Sequence, residues 1–235
     1  MKTLTRLSAF LLLGLFGSVA AFGQPANPAT TPVPRNEWMV QHESFNARAK
    51  KGDVDVVFLG DSITHGWGGA GKTIWTERYT PLKAANFGIG GDRTQHVLWR
   101  VQNGNFDGIK PKAVVLMIGT NNTGSDTAPQ IAEGVAAIVK EIQTRTPTTK
   151  ILLLAVFPRA EKADHPLRVK IGQINEIIAK LDDGKTVFFQ DIGPKFLQPD
   201  GTLTKDIMPD LLHLSPAGYK IWADAIQEKL TELLK

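Results

Sequence analysis

Hydrophobic residues fall into short dense blocks separated by longer stretches of helical spacing. Val54–Leu59 is an apolar, β-branched run ending in Gly60, and similar short runs recur at Ala84–Phe87, Ala113–Ile118, Ile151–Phe157 and Val187–Phe189. Such runs, lacking polar alternation, suit strands buried on both faces. Between them, Thr94–Gln102 places Val97, Leu98 and Val101 together, and Ile131, Val135, Ile138, Val139 and Ile142 form one stripe. Ile171, Ile174, Ile177, Ile178 and Leu181 form another, and a closing helix from about Pro216 carries Ile221, Trp222, Ile226, Leu230 and Leu233. Strands alternating with helices predict a parallel sheet covered on both faces in a single α/β domain without internal repeats.

The start of the chain follows a different pattern. Lys2 and Arg6 precede an apolar stretch, Leu7–Phe16, and small residues follow through Ala21 and Gly23. This is the layout of a secretory signal peptide, with an apolar run too short to span a bilayer. The expected division is a signal peptide over 1–23, an N-terminal leader and linker over 24–50, and the α/β domain over 51–235. The Pro-, Ala- and Thr-rich segment Gln24–Pro34 reads as an exposed, extended leader. The expected location is the periplasm or the medium, with no membrane anchor after signal cleavage.

Composition narrows the function classes. Of the 235 residues, 42% are hydrophobic and 21% charged, which excludes wholesale disorder. Lys+Arg 27 against Asp+Glu 23 gives +4, and the charges are scattered, so the basic stripe of a nucleic-acid binder is missing. Cys is absent, which removes disulfides, a thiolate nucleophile and zinc–thiolate sites.

The chemistry gathers where ligands bind in open α/β sheets, beyond the carboxyl ends of the strands. Gly60-Asp61-Ser62-Ile63-Thr64 leaves the first strand, Asn86-Phe87-Gly88-Ile89-Gly90-Gly91-Asp92 the second, and Gly119-Thr120-Asn121-Asn122 the third; Asp210-Leu211-Leu212-His213 precedes the last helix. Taken singly, Ser62 is a helix cap, Gly90 and Gly91 a turn, Asn121 a loop residue and His213 a hydrogen-bonded histidine. Together they supply what acyl transfer requires. Ser62 is the candidate nucleophile, His213 its base and Asp210 the group that orients the imidazole. The backbone N–H groups of Ser62 and Gly91, with the Asn121 amide, are candidate oxyanion donors.

Competing motifs fail on context. Gly66-Trp67-Gly68-Gly69-Ala70-Gly71-Lys72-Thr73 fits the phosphate-loop pattern, yet it does not leave its strand directly. It reads instead as a flexible surface loop near the site. Arg93 stands where a dinucleotide fingerprint needs its last glycine, and the serine lacks the second glycine of G-x-S-x-G. His42, His65, His96 and His165 lack metal-ligand spacing. His65 reads as a rim residue and the other three as solvated surface histidines.

These blocks, in this order, resemble the SGNH (GDSL-type) hydrolases, and among them the catalytic subunits of platelet-activating-factor acetylhydrolase Ib. The similarity also runs through Asn86–Arg100, Pro158-Arg159 and Pro166-Leu167-Arg168. It implies a flavodoxin-like three-layer α/β/α sandwich with a five-stranded parallel sheet. It also implies Ser62, Asp210 and His213 as catalytic residues, Ser62, Gly91 and Asn121 as the oxyanion hole, and no metal or organic cofactor. Ile63, Thr120 and Leu212 match the positions that crowd the acyl pocket of the resembling enzymes, which are dimers. The expectation is a secreted serine esterase that removes short acyl groups, chiefly acetyl, from a glycan or small-molecule ester. Export makes O-acetylated carbohydrate the first-choice substrate, and Trp67 and Trp75 read equally well as a sugar-stacking rim or as buried tryptophans. The alternatives are a phospholipid or small-ester acetylhydrolase and, in another class, an inactive carbohydrate-binding module.

Overall fold

The computed structural model describes residues 26–235; the signal-peptide reading over 1–23 lies outside the described residues. Five short strands, β1 (Val56–Gly60), β2 (Ala84–Gly88), β3 (Ala113–Met117), β4 (Lys150–Leu154) and β5 (Val187–Gln190), form one parallel sheet in the order β2-β1-β3-β4-β5. The register aligns Gly60 of β1 with Gly88 of β2 and Met117 of β3, so three chain exits lie side by side. The expected fold class holds, and each expected strand is present to within two or three residues at its ends.

Helices cover both faces of the sheet. On one side lie α1 (Met39–Lys50), α4 (Thr94–Arg100), α5 (Ala128–Arg145) and α6 (Pro166–Ile178), enclosing Val57, Leu59, Phe87, Val114, Leu116, Ile151 and Leu153. On the other side, Val56, Phe58, Val115, Met117, Leu152 and Leu154 meet α7 (Pro216–Leu233) and an aromatic cluster built on Trp67, Tyr79, Tyr219 and Trp222. Alternate residues of each strand serve opposite cores, which explains the unbroken apolar runs. Helix starts follow local chemistry: Thr127 and Gln130 form a capping box at α5, and Ser215 caps α7. Ile177 of the α6 stripe is the exception, exposed on the outer face.

The segment expected to be an exposed leader is exposed over residues 31–34 but anchored just before them, around Ala29. Pro28–Thr30 forms a 3₁₀ turn capped by the Asn27 side chain, and Ala29 is completely buried. Asn27 Nδ2 donates to Gln130 O at 3.0 Å and Glu133 Oε2 at 2.8 Å on α5, and Thr94 Oγ1 donates to Ala29 O at 2.8 Å. Residues 39–50 are helical, with His42, Phe45 and Ala49 turned inward. These few inward positions and side-chain-to-backbone bonds hold the segment, and neither produces a long apolar run.

Trp67 is likewise no rim residue. The glycine-rich stretch from Gly66 begins with a 3₁₀ turn (Gly66–Gly68) and passes into the short helical turn α3 (Lys72–Ile74), leaving Trp67 fully buried. Its ring lies 4.6 Å from Tyr219 and 5.0 Å from Trp222, centroid to centroid. Trp75 is half-buried against Phe58 at 5.1 Å. Burial of apolar area outweighs the local glycine content at Trp67, which with the buried Gly71 anchors the stretch, while residues 68–70, Lys72 and Thr73 stay on the surface as expected.

Candidate active site

The turn after β1 opens the short helix α2 (Ser62–His65). Asp61, not Ser62, caps it: Asp61 Oδ1 accepts the Ile63 N–H at 3.0 Å. Ser62 is therefore the first helical residue, and its hydroxyl does not cap the helix. Ser62 Oγ lies 2.8 Å from His213 Nε2, and His213 Nδ1 lies 2.6 Å from Asp210 Oδ2. With the ring proton on Nδ1 donated to Asp210, Nε2 is left as the acceptor of the serine proton.

The base and its partner come from one tight turn. Asp210 Oδ1 accepts the N–H groups of Leu212 at 3.1 Å and His213 at 2.7 Å, while Oδ2 takes the imidazole. Leu211, between them, adopts φ +60°, and its carbonyl accepts the Ala160 N–H at 2.9 Å. Burial works to raise the Asp210 pKa, but the His213 ring and the two backbone donors outweigh it and hold the carboxyl below its ordinary value.

The Gly90-Gly91-Asp92 turn reaches the same place from β2. A Cβ on Gly90 would stand 3.9 Å from Ser62 Cβ, which puts this turn directly beside the nucleophile. Gly91 has φ +77°, a conformation that glycine adopts without strain. Asn121 comes from the turn after β3, and its Nδ2 donates to the Asp92 carbonyl at 2.9 Å. That bond uses one amide hydrogen and leaves the other for a ligand. The fold thus brings together Ser62, Asp210, His213, Gly91 and Asn121, drawn from four separate chain segments.

The three expected acyl-pocket residues are not equivalent. Leu212 is half-exposed beside His213. Thr120 is buried, with Arg159 Nη1 at 3.4 Å from its hydroxyl. Ile63 is packed into the α7-side core, its carbonyl accepting the Tyr219 hydroxyl at 2.6 Å, so it belongs to the foundation of α2.

Several supporting groups escaped the sequence reading. Arg100 is buried: its Nε donates to Asp92 Oδ2 at 2.8 Å, Nη1 to Asn105 Oδ1 at 2.6 Å, and Nη2 to Phe87 O at 3.1 Å and Gly60 O at 3.3 Å. One guanidinium thus ties the ends of β1 and β2 to the glycine turn. Asn122, buried next to Asn121, accepts the Thr94 N–H at 3.0 Å and donates to Asp126 Oδ2 at 2.7 Å. His42 is buried and bonded to Asn46 at 3.1 Å and Asn105 at 3.2 Å, contrary to its expected surface position. His96, also expected on the surface, is half-buried: its Nδ1 accepts the Arg93 N–H at 3.1 Å, and burial lowers its pKa. His65 and His165 are exposed as expected. Asp61 is completely buried with Oδ2 unpartnered, and burial pushes its pKa up to about 7.

Residues 58–221 match the GDSL-like lipase/acylhydrolase family. The chain is 41% identical over 215 residues to the human platelet-activating factor acetylhydrolase IB subunit alpha1, covering 88% of this chain and 91% of that protein. It is 40% identical to the rat alpha2 subunit, covering 89% and 93%. Among solved structures, a GDSL-like lipase from Bacteroides thetaiotaomicron superposes with a TM-score of 0.67 at 20% identity, covering 83% of this chain and 96% of that one. An acetylxylan esterase from Geobacillus stearothermophilus superposes at 0.60 with 21% identity, covering 77% and 96%. At those identities the structural matches speak to the fold. The sequence matches go further: this chain belongs to the GDSL-like lipase/acylhydrolase family.

Proposed function

We propose that the protein is a serine ester hydrolase acting on short acyl esters, acetyl esters first, with Ser62, His213 and Asp210 as its catalytic residues. The observation that carries this reading is the continuous hydrogen-bonded relay from Ser62 Oγ through both imidazole nitrogens to Asp210 Oδ2. Ser62 Oγ attacks the ester carbonyl carbon as Nε2 takes its proton, and Asp210 stabilises the resulting imidazolium. The oxyanion is received by the N–H groups of Ser62 and Gly91 and by the free amide hydrogen of Asn121. On collapse, the imidazolium returns the proton to the departing alcohol, leaving an acyl-serine. Water, deprotonated by the same imidazole, releases the acid and restores the serine.

For the leaving alcohol, the reading moves from carbohydrate to a lysophospholipid or small alcohol. The support for a sugar platform rested on Trp67 and Trp75, and both side chains are engaged in the aromatic cluster. The platelet-activating-factor acetylhydrolase subunits at about 40% identity favour the second reading. Thr120 and Leu212 remain as the walls expected to restrict acyl length, and export to the periplasm or medium remains part of the proposal.

The test is hydrolysis of p-nitrophenyl esters of increasing acyl length, with Ser62→Ala as control and intact-mass analysis after organophosphonate treatment. The expected outcome is a preference for acetate, loss of turnover in Ser62→Ala, and one phosphonyl adduct on the unsubstituted protein. Turnover surviving in Ser62→Ala would overturn the assignment. Comparison of an acetylated lysophospholipid with acetylated xylo-oligosaccharide then separates the two alcohol classes, the lipid being the expected better substrate.

A further inference from the structure

We propose that Arg35, from the segment preceding α1, is a positioning residue that orients and polarises the oxyanion donor at Gly91; the inference rests on the ester-hydrolase reading above. Arg35 Nη1 donates to the Gly90 carbonyl at 2.6 Å and to Asp92 Oδ1 at 3.1 Å. The Gly90 carbonyl and the Gly91 N–H belong to one planar peptide group, so gripping the oxygen fixes the direction of the hydrogen. A cation bonded to that oxygen also draws electron density through the amide and makes its N–H a stronger donor. The remaining soft coordinates of this turn are restrained as well. Asp92 is held from the interior by Arg100 at 2.8 Å, and its carbonyl by Asn121 at 2.9 Å.

Arg35 is itself fixed in place. Its Nε donates to Glu37 Oε1 at 3.0 Å, and its guanidinium lies 5.7 Å from the centre of the Trp38 ring. A Cβ on Gly91 would come within 3.3 Å of Nη1, so the guanidinium lies close against the donor residue. Asp92 does not depend on Arg35 alone for charge compensation, because Arg100 is the fully buried partner and Arg35 the outer one. The arrangement thus assigns Arg35 to the peptide plane more than to the burial of the acid.

The experiment compares wild type, Arg35→Lys and Arg35→Met by steady-state kinetics on a short-chain p-nitrophenyl ester and by the ¹⁵N–¹H resonance of the Gly91 amide. Losing a whole oxyanion donor costs on the order of 10²–10³ in turnover, so weakening one should cost about 10- to 100-fold in Arg35→Met. KM should stay within about twofold, since a donor aimed at the developing oxyanion acts in the transition state. The Gly91 resonance should move, and Arg35→Lys should recover part of both effects. An unchanged kcat, a rise in KM alone, or a loss of kcat with an unmoved Gly91 resonance would each overturn the proposal. A wild-type protein that neither turns over esters nor takes up a phosphonate sinks the ester-hydrolase reading instead, and the Gly91 resonance still reports whether Arg35 holds the peptide.

Discussion

Asp61 caps the helix that begins with the nucleophile, and it does so from a completely buried position. One carboxylate oxygen is used by the Ile63 N–H and the other has no partner, so ionisation finds little compensation and the pKa rises to about 7. The unfolded chain ionises this carboxyl near the ordinary value of about 4. Between those values the folded protein binds the extra proton, so stability falls as pH rises from about 4 to about 7 and is flat in this respect above. The full effect is on the order of 4 kcal/mol. Asp61→Asn retains the acceptor for Ile63 and removes the ionisation. Its urea midpoint measured against wild type should therefore gain progressively across that pH window; parallel pH profiles for the two proteins would show that the Asp61 carboxyl does not titrate there.

At the scale of elements, close approach decides more than helix propensity. Gly134 lies within α5, where glycine ordinarily costs about 1 kcal/mol relative to alanine. A Cβ there would stand 2.5 Å from Thr94 Oγ1 and 2.7 Å from the Ala29 carbonyl. Gly134→Ala should therefore destabilise by about 1–3 kcal/mol in a denaturant titration, reversing the propensity expectation. A stabilised variant would mean that α5 and α4 have room to separate. The same contrast explains what the sequence revealed about the site. Ser62, Gly91, Asn121, Asp210 and His213 were legible because they sit at polar, glycine-rich junctions between apolar runs. Arg100, Asn105 and Asn122 were not: a charged or amide residue near a helix end reads as solvated, and its pairing with Asp92, Asp126 or a strand carbonyl exists only after folding. The sequence leaves Trp67 open between rim and core for the related reason that glycine neighbours suggest a loop, whereas its environment is set by Tyr219 and Trp222 from the far end of the chain.

For the molecule as a whole, the sheet was the most legible feature and the N-terminal segment the least. The strand order β2-β1-β3-β4-β5 puts three chain exits side by side, and the loop just before α7 brings His213 to them. The N-terminal segment closes one side of this assembly: Ala29 is buried, Asn27 bonds α5, the Ala29 carbonyl accepts from Thr94, and Arg35 reaches the glycine turn. A chain beginning at Arg35 would keep the last of these contacts and lose the others. Losing the buried Ala29 methyl costs about 1 kcal/mol. Leaving Thr94 Oγ1 without its carbonyl costs about 1–3 kcal/mol more, offset in part where water reaches the vacated site. The truncated chain should therefore unfold at a lower urea concentration than one beginning at Gln24, by about 2 kcal/mol in extrapolated stability. KM for a short-chain ester should stay close to that of the longer chain, because every residue assigned to the site is retained. Equal midpoints would restore the reading of an exposed leader. A collapse of kcat at unchanged stability would instead show that the segment before Arg35 governs the glycine turn, through the anchoring of Arg35 itself.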